Sequence, residues 1–459
     1  MRTLDQILTK KDYSRKTPAS LFYKDSPLWQ KLLTIGCVGF LSVAGLGEWK
    51  VLNGMLGGLP KAITLGVIGL AMLYTLFYPD EKRLREIWKP TLLYMSLMAV
   101  LFFWSVVIWV ESFAAVSSMI RSCSKLVFQS IAILTAVALV YLFREKAIEL
   151  FTISICITNG AIMLLCIPEY GVGASIQSLV TCLVTFGDAV GYARQLEIHD
   201  LTFVFGQMIL YYAVFAPRTT RQEKRKRWLY LLLCCWFFLV GMKRSAIPAV
   251  LLFILIGLLL RKRKVSGRLY PAVGVCCILF FLVFLYCVRY GIISRLLNSF
   301  GIDMMGRDYL WSMANPYYEF SVTYLGHGFE YVDTIISQWY DAGLINQPFP
   351  FHNDILKVFV EMGFPGFLLW SGIQYVLTPL FWQRYADQQT ALLYMCELGY
   401  MTVTYLTDNT AFYFWSAMAL RLVPLAYAME RKKPPEPKVW MPDSRQEMRD
   451  RIRILMQEG

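Results

Sequence analysis

Between Leu32 and Met429 the chain is a succession of apolar runs, each about 15 to 22 residues long and each closed by a short polar or basic stretch. An α-helix needs ~20 residues to cross the ~30 Å hydrocarbon layer of a bilayer. Only helices and closed barrels satisfy their own backbone there, and a barrel would alternate in much shorter strands. Runs of this length therefore predict an all-α, polytopic membrane protein. The hydrophobic share of 57% and the mean hydropathy of +0.47 agree with that reading, because both exceed what an ordinary soluble domain carries.

Basic residues set the expected sidedness. The net charge of +13 is spread over patches beside the apolar runs, the ordinary positive-inside signal, so no nucleic-acid partner is expected. Residues 1–31 are polar and basic without a short apolar run and cleavage site, and are expected to form a cytoplasmic segment with no signal peptide removed. Residues 32–288 hold membrane spans, 289–363 one large extracytoplasmic loop, 364–429 further spans, and 430–459 a basic cytoplasmic tail with a charged amphipathic stretch from Ser444 to Met456. The stretch near 169–198 is moderately apolar, but counting it as a crossing would place Arg218 to Arg227 outside. That patch has six basic residues in ten positions, so 169–198 reads as an outer loop or a re-entrant element. About twelve crossings result, with both termini inside. The cysteines lie in or beside apolar runs, Cys123 excepted, with no disulfide framework and no zinc spacing; neither a metal nor another cofactor is expected.

The segment from Arg289 to Gly366 is the longest interruption. It carries three arginines, two of the chain's three histidines, and fourteen Phe, Tyr and Trp between Tyr290 and Phe351. A loop so aromatic argues against disorder, and long ordered loops are usually functional. Gly306, Arg307, Asp308 and Trp311 form a GRDYLW element, and Gly326, His327 and Gly328 a tight GHGF turn. The segment closes with FHNDILKVFVEMGFPG, where His352 and Asn353 open a short amphipathic helix that Gly363, Pro365 and Gly366 break. The planar fork of arginine suits a diphosphate. A histidine with a pKa near ~6.5 can take a proton from a hydroxyl, or it can merely cap the loop.

Two further features stand apart. Lys243 and Arg244 interrupt the apolar stretch from Trp228 to Leu260, leaving arms of about fifteen residues, or ~22 Å of helix each. The tip should then sit at the depth of lipid phosphates, its charges either snorkelling to headgroups or holding a phosphate. Lys243 is expected to turn outward. Glu197, His199 and Asp200 fall at the outer mouth of the next span, where they could bind a polar substrate or, in the case of Asp200, cap a helix. Glu397 and Arg421 lie at matching depth in the last spans and are expected to pair.

Taken together, Lys243, Arg244 and Ser245 between two spans, GRDYLW in a large loop, and FHNDILKVFVEMGFPG before the next span resemble the O-antigen polymerase and ligase family of bacterial polysaccharide assembly. The resemblance covers mainly Trp228 to Leu380; EIHDLTF, from Glu197, departs from the Asn-containing pattern more usual in the family. It implies an enzyme in the bacterial cytoplasmic membrane that moves a glycan from undecaprenyl diphosphate to an acceptor hydroxyl on the outer face, without a metal. The acceptor would be another lipid-linked repeat unit for a polymerase, the favoured role, or a lipid core, protein or wall polymer for a ligase. Arg244 and Arg307 would bind the diphosphate, and His352 would orient or deprotonate the acceptor. Lys243, Asn353, Trp311, His327 and His199 would contact substrate. Membrane lipid and other polysaccharide assembly proteins are the further partners expected. A lipid-linked oligosaccharide flippase is the competing class; transporters tend to carry paired repeats with broken helices, whereas this chain concentrates its polar residues in one loop.

Overall fold

The computed structural model describes residues 28–112, 116–185, 189–263, 266–301, 304, 306–348 and 350–431. Most of the N-terminal segment and of the basic tail, including Ser444 to Met456, lies outside the described residues. Among the described residues the chain is helical throughout, with no strand.

The first half is a run of antiparallel helices: α1 (Leu28–Leu46), α2 (Lys50–Leu56), α3 (Leu65–Phe77), α4 (Glu81–Ser112), α5 (Val116–Phe143) and α6 (Lys146–Tyr170). Gly171, with a positive φ of 78°, then separates α6 from α7 (Val172–Thr185). On α7, Val172, Ile176, Val180 and Val184 follow at helical spacing and are all more than half exposed. An apolar stripe on a helix of 14 residues is too short to cross ~30 Å and is suited to lying against lipid. The short α8 (Tyr192–Gln195) leads into α9 (His199–Leu210), which ends in a π-turn at Tyr211–Phe215.

The hairpin of α10 (Arg221–Val240) and α11 (Ala246–Leu260) follows. Helix α10 starts at Arg221 because Thr220 and Glu223 form a reciprocal capping box, which satisfies two otherwise orphaned N–H groups. After α12 (Leu269–Arg289), the segment expected to be one large loop resolves into short helices, α13 (Ile292–Ser299), α14 (Arg307–Met313) and α15 (Tyr331–Asp341). The chain ends with α16 (Asp354–Gly372), a π-turn, α17 (Thr378–Tyr385), α18 (Gln388–Thr407) and α19 (Phe414–Arg431). Helix α19 is buried along nearly its whole length and packs on α5 and α9.

Among the described residues, seven helical segments are long and apolar enough to cross a membrane: Leu28–Leu46, Leu59–Phe77, Glu81–Ser112, Val116–Phe143, Lys146–Tyr170, Leu269–Arg289 and Asp354–Tyr385. The other five crossings expected from the sequence fall on α9 with its π-turn, α10, α11, α18 and α19, which are shorter or more polar. For those five the expectation rests on the sidedness of basic residues. Large exposed side chains such as Leu279, Phe280 and Val283 on α12 form the kind of apolar exterior that a hydrocarbon solvent requires.

One joint positions the polar segment. Helix α16 kinks at Gly363, whose φ of 64° and ψ of −172° no other residue adopts readily. A Cβ on Gly363 would overlap backbone atoms of Tyr324 and Leu325, and one on Gly326 would overlap Glu361 and Met362. Two glycine backbones thus cross at van der Waals contact. The carbonyls freed by the kink are all satisfied: Val360 accepts from the Tyr324 hydroxyl at 2.6 Å, Glu361 from the N–H groups of His327 and Gly328 at 3.0 and 2.7 Å, and Met362 from the Trp104 indole at 2.8 Å. The Lys357 ammonium, 2.7 Å from Asp333 and 3.2 Å from Glu330, ties α15 to the same helix.

The expected pair of Glu397 and Arg421 does not form. Among the described residues the Glu397 carboxylate is buried with neither oxygen hydrogen-bonded, and the Arg421 guanidinium donates to the Ala417 carbonyl of its own helix at 3.3 Å. Matching depth along two helices sets the height of the side chains but not the rotation of each helix about its axis.

Candidate functional site

The turn between α10 and α11 carries Lys243. Gly241 closes α10 so tightly against α9 that a Cβ there would overlap the Thr202 side chain. Met242 then takes a positive φ of 51°, a conformation that non-glycine residues adopt only where the surroundings enforce it. The result turns Lys243 inward. Its side chain is 12% exposed and its Nζ lies 3.0 Å from Glu197 Oε1, 3.4 Å from His199 Nε2 and 4.0 Å from Asp408 Oδ2. The outward path expected for Lys243 is therefore taken by Arg244, which is exposed.

His352 enters from the opposite direction. It too has a positive φ, 55°, and its N–H donates to Asn409 Oδ1 at 2.8 Å. Two residues on, Asp354 Oδ2 accepts the Ala411 N–H at 2.7 Å. Residues 352–354 are thus stitched to the turn between α18 and α19. The same turn presents Asp408, whose Oδ1 lies 3.5 Å from His352 Nδ1. At that distance Nδ1 makes no hydrogen bond, and the carboxylate acts on the ring through its charge, which favours a proton on Nδ1 and leaves Nε2 as the basic nitrogen. The side chain of His352 is 21% exposed and that of Asp408 7%, so the imidazole reaches the surface of the site while its partner stays beneath.

Charge complementarity accounts for the titration behaviour. Burial alone would raise the Asp408 carboxyl, but the His352 imidazole and the Lys243 charge outweigh it and hold the group at about 2. Burial likewise pushes Glu197 up, and Lys243 brings it below the ordinary glutamate value. Lys243 is therefore the cation at the centre of a carboxylate and imidazole cluster built from α9, the α10–α11 turn, the start of α16 and the α18–α19 turn. Among the described residues no group of three or more His, Cys, Asp or Glu side chains is arranged to hold a metal ion.

The other expected site residues divide. Trp311 is buried and donates its indole N–H to the Phe351 carbonyl at 3.2 Å, which moors α14 beside His352. Arg307 stands one turn earlier on the same face of α14, half-buried, and its guanidinium has no hydrogen-bond or ion-pair partner among the described residues. Asn353 is fully buried and accepts the Leu356 N–H at 3.0 Å, capping α16. His327 is engaged in packing: its Nε2 is 2.7 Å from the Tyr317 carbonyl and its ring stacks on Tyr331 with centroids 4.2 Å apart. Asp200 caps a helix, but the helix is α19: its carboxylate accepts the N–H groups of Trp415 and Ser416 at 2.8 and 2.9 Å.

Sequence reasoning passed over Asp408 and Asn409. Their one signal was the run TDNT at 407–410, polar residues confined to a short turn that sidedness had already placed on the outer face.

Residues 229–371 match the family model described as O-antigen ligase. No curated protein matches the chain. The matched stretch contains Lys243, Arg244, Arg307, Trp311, His327, His352 and Asn353, and of these the fold brings Lys243 and His352 together with His199 and Asp408 from outside it. Over residues 229–371, then, the chain is similar to the O-antigen ligase family.

Proposed function

We propose that this protein is a polysaccharide polymerase. It transfers a glycan from an undecaprenyl-diphosphate carrier to a hydroxyl of another lipid-linked repeat unit, at the outer face of the bacterial cytoplasmic membrane. The supporting observation is the convergence of Lys243 and His199 with His352 and Asp408. It sets a fixed positive charge and an oriented imidazole at one place, next to a membrane-embedded helical body.

In this reading the acceptor O–H gives its proton to His352 Nε2. Its oxygen forms the new bond to the anomeric carbon, while the bond from that carbon to the phosphate oxygen breaks and its electron pair leaves on the diphosphate. Asp408 stabilises the imidazolium that results. Arg244, Arg307 and Lys243 take up the departing charge, the electrostatic term that dominates when the leaving group is already good. Side-chain cations thus do the work for which a metal would otherwise be used. In this reading the chain crosses the membrane about twelve times with both termini in the cytoplasm and the cluster faces outward, a sidedness taken from the distribution of basic residues.

The test is His352→Ala in protein that inserts and accumulates normally. Polymer formation should be lost, and unchanged polymer length and yield would remove His352 from the mechanism. Purified protein given lipid-linked repeats should lengthen glycans without nucleotide or ion gradient. Transfer only to a lipid core or protein would make it a ligase, the same chemistry with another acceptor. Translocation with no new glycosidic bond would make it a flippase.

A further inference from the structure

Behind the turn that carries Asp408 lies a cavity of about 470 Å³, within the ~300–1,000 Å³ typical of ligand sites. Its wall combines Arg121 and Lys125 from α5, Asp333 from α15, Asp354, and Asn409 and Tyr413 from the α18–α19 turn. Glu197, His199 and Lys243 are not among the described residues that line it. The cavity and the cationic cluster are therefore two compartments that share one wall. Asn409 lines the cavity and holds the His352 N–H, and Tyr413 lines it while its hydroxyl stands 3.5 Å from Asp408 Oδ1.

The lining is mixed in sign. Lys357 in the floor is committed to Asp333 and Glu330, so the cations left at the mouth are Arg121 and Lys125. Asp333 keeps 38% of its side chain exposed. A phosphate would call for cations alone, whereas each hydroxyl of a sugar both donates and accepts and is matched by donors and acceptors side by side. Tyr413 and the neighbouring Pro348 and Pro350 offer apolar faces for the C–H side of a pyranose.

We infer that this cavity is the saccharide subsite for the acceptor, seating a poly-hydroxyl glycan against the His352 wall while the carrier diphosphate lies with Lys243 and Arg244. The word acceptor rests on the transfer reading; the binding of a saccharide does not. Because an in-line displacement needs the attacking oxygen within ~3.5 Å of the reacting carbon, opposite the leaving group, the seated glycan must extend one hydroxyl past this wall to His352.

The experiment uses the full-length protein in nanodiscs and the repeat-unit oligosaccharide freed from its lipid carrier by mild acid. Saturation-transfer NMR should detect binding to the wild type. Ser337→Trp, which fills the cavity from α15, and the rim double variant Arg121→Ala/Lys125→Ala should each weaken binding about tenfold or more, with Arg244→Ala unchanged. In elongation assays the same two variants should raise KM for the acceptor lipid about tenfold and leave kcat and the donor KM near wild type. No saccharide binding by the wild type, or equal binding by Ser337→Trp, overturns the inference, as does a fall in kcat with acceptor KM unchanged. Saccharide binding lost in Ser337→Trp but no glycosidic bond formed by the wild type would uphold the cavity and refute the transfer reading.

Discussion

Asp408→Asn isolates what the buried carboxylate does for His352. Asparagine keeps the shape and can still accept the Asn409 N–H that Asp408 Oδ1 accepts at 2.9 Å, so the turn should hold. What it removes is a negative charge 3.5 Å from His352 Nδ1. Two unit charges at that distance attract by ~5 kcal/mol at an effective dielectric of ~20. The imidazole is partly exposed, and solvent screening should leave about half, ~2 to 3 kcal/mol. The attraction operates only once His352 has taken the proton, so it appears in the transition state and not in substrate binding. Each ~1.4 kcal/mol is tenfold in rate, which gives about a hundredfold loss of kcat with KM little changed, within the usual range for general-base catalysis. Steady-state elongation by purified protein reads this directly. The double variant with His352→Ala should be no slower than His352→Ala alone, because the two residues act as one unit. A kcat for Asp408→Asn within threefold of wild type, or additive losses in the double variant, would refute the dyad. Stability gives an independent check. Asp408 titrates at about 2 against an ordinary 3.8. A depressed folded-state value means that its stabilisation is complete above the unfolded value and is lost as pH falls through the folded one. The stability deficit of Asp408→Asn should therefore still be present at about pH 5. A deficit that vanishes by about pH 5 would contradict the ion pairing.

Lys243→Ala leaves Glu197 and Asp408 without their shared cation, and should cost elongation at least about a hundredfold; normal rates at matched protein levels would move the leaving-group site elsewhere. Arg244→Lys keeps the charge but loses the bidentate fork, and should fall at least about tenfold if Arg244 grips the diphosphate; near-normal elongation would shift the clamp to Arg307. Gly363→Ala forces a positive φ on alanine and drives a Cβ into the Tyr324 backbone, so it should destabilise the protein by ~3 kcal/mol or more. Thermal unfolding and membrane yield report it, and a wild-type melting temperature would mean that the crossing of the two glycine segments has been misread.

Much of this molecule was legible from local pattern alone. Apolar runs near the length of a bilayer dictate helices because each residue's neighbours at i+3 and i+4 settle its surroundings. Capping is equally local: Thr220 with Glu223, and Asn353 before Asp354, mark helix starts within four residues. The kink announced itself in Gly363, Pro365 and Gly366. The site, by contrast, was legible only in its separate pieces. His352 meets Asn409 across 57 residues and Lys243 meets Glu197 across 46, and no periodicity links positions so far apart. Which of two adjacent charges turns inward was decided by the positive φ of Met242 and the pressure of α10 on Thr202, against the snorkelling that depth alone predicted for Lys243. His327 looked like a binding residue until the kink in α16 supplied carbonyls for its turn to satisfy. Glu397 and Arg421 share a depth that the sequence determines, but helix rotation, set by packing against neighbours distant in the chain, keeps them from pairing. Local chemistry specified the helices and their ends; only the packing of one helix on another decided which polar groups would meet.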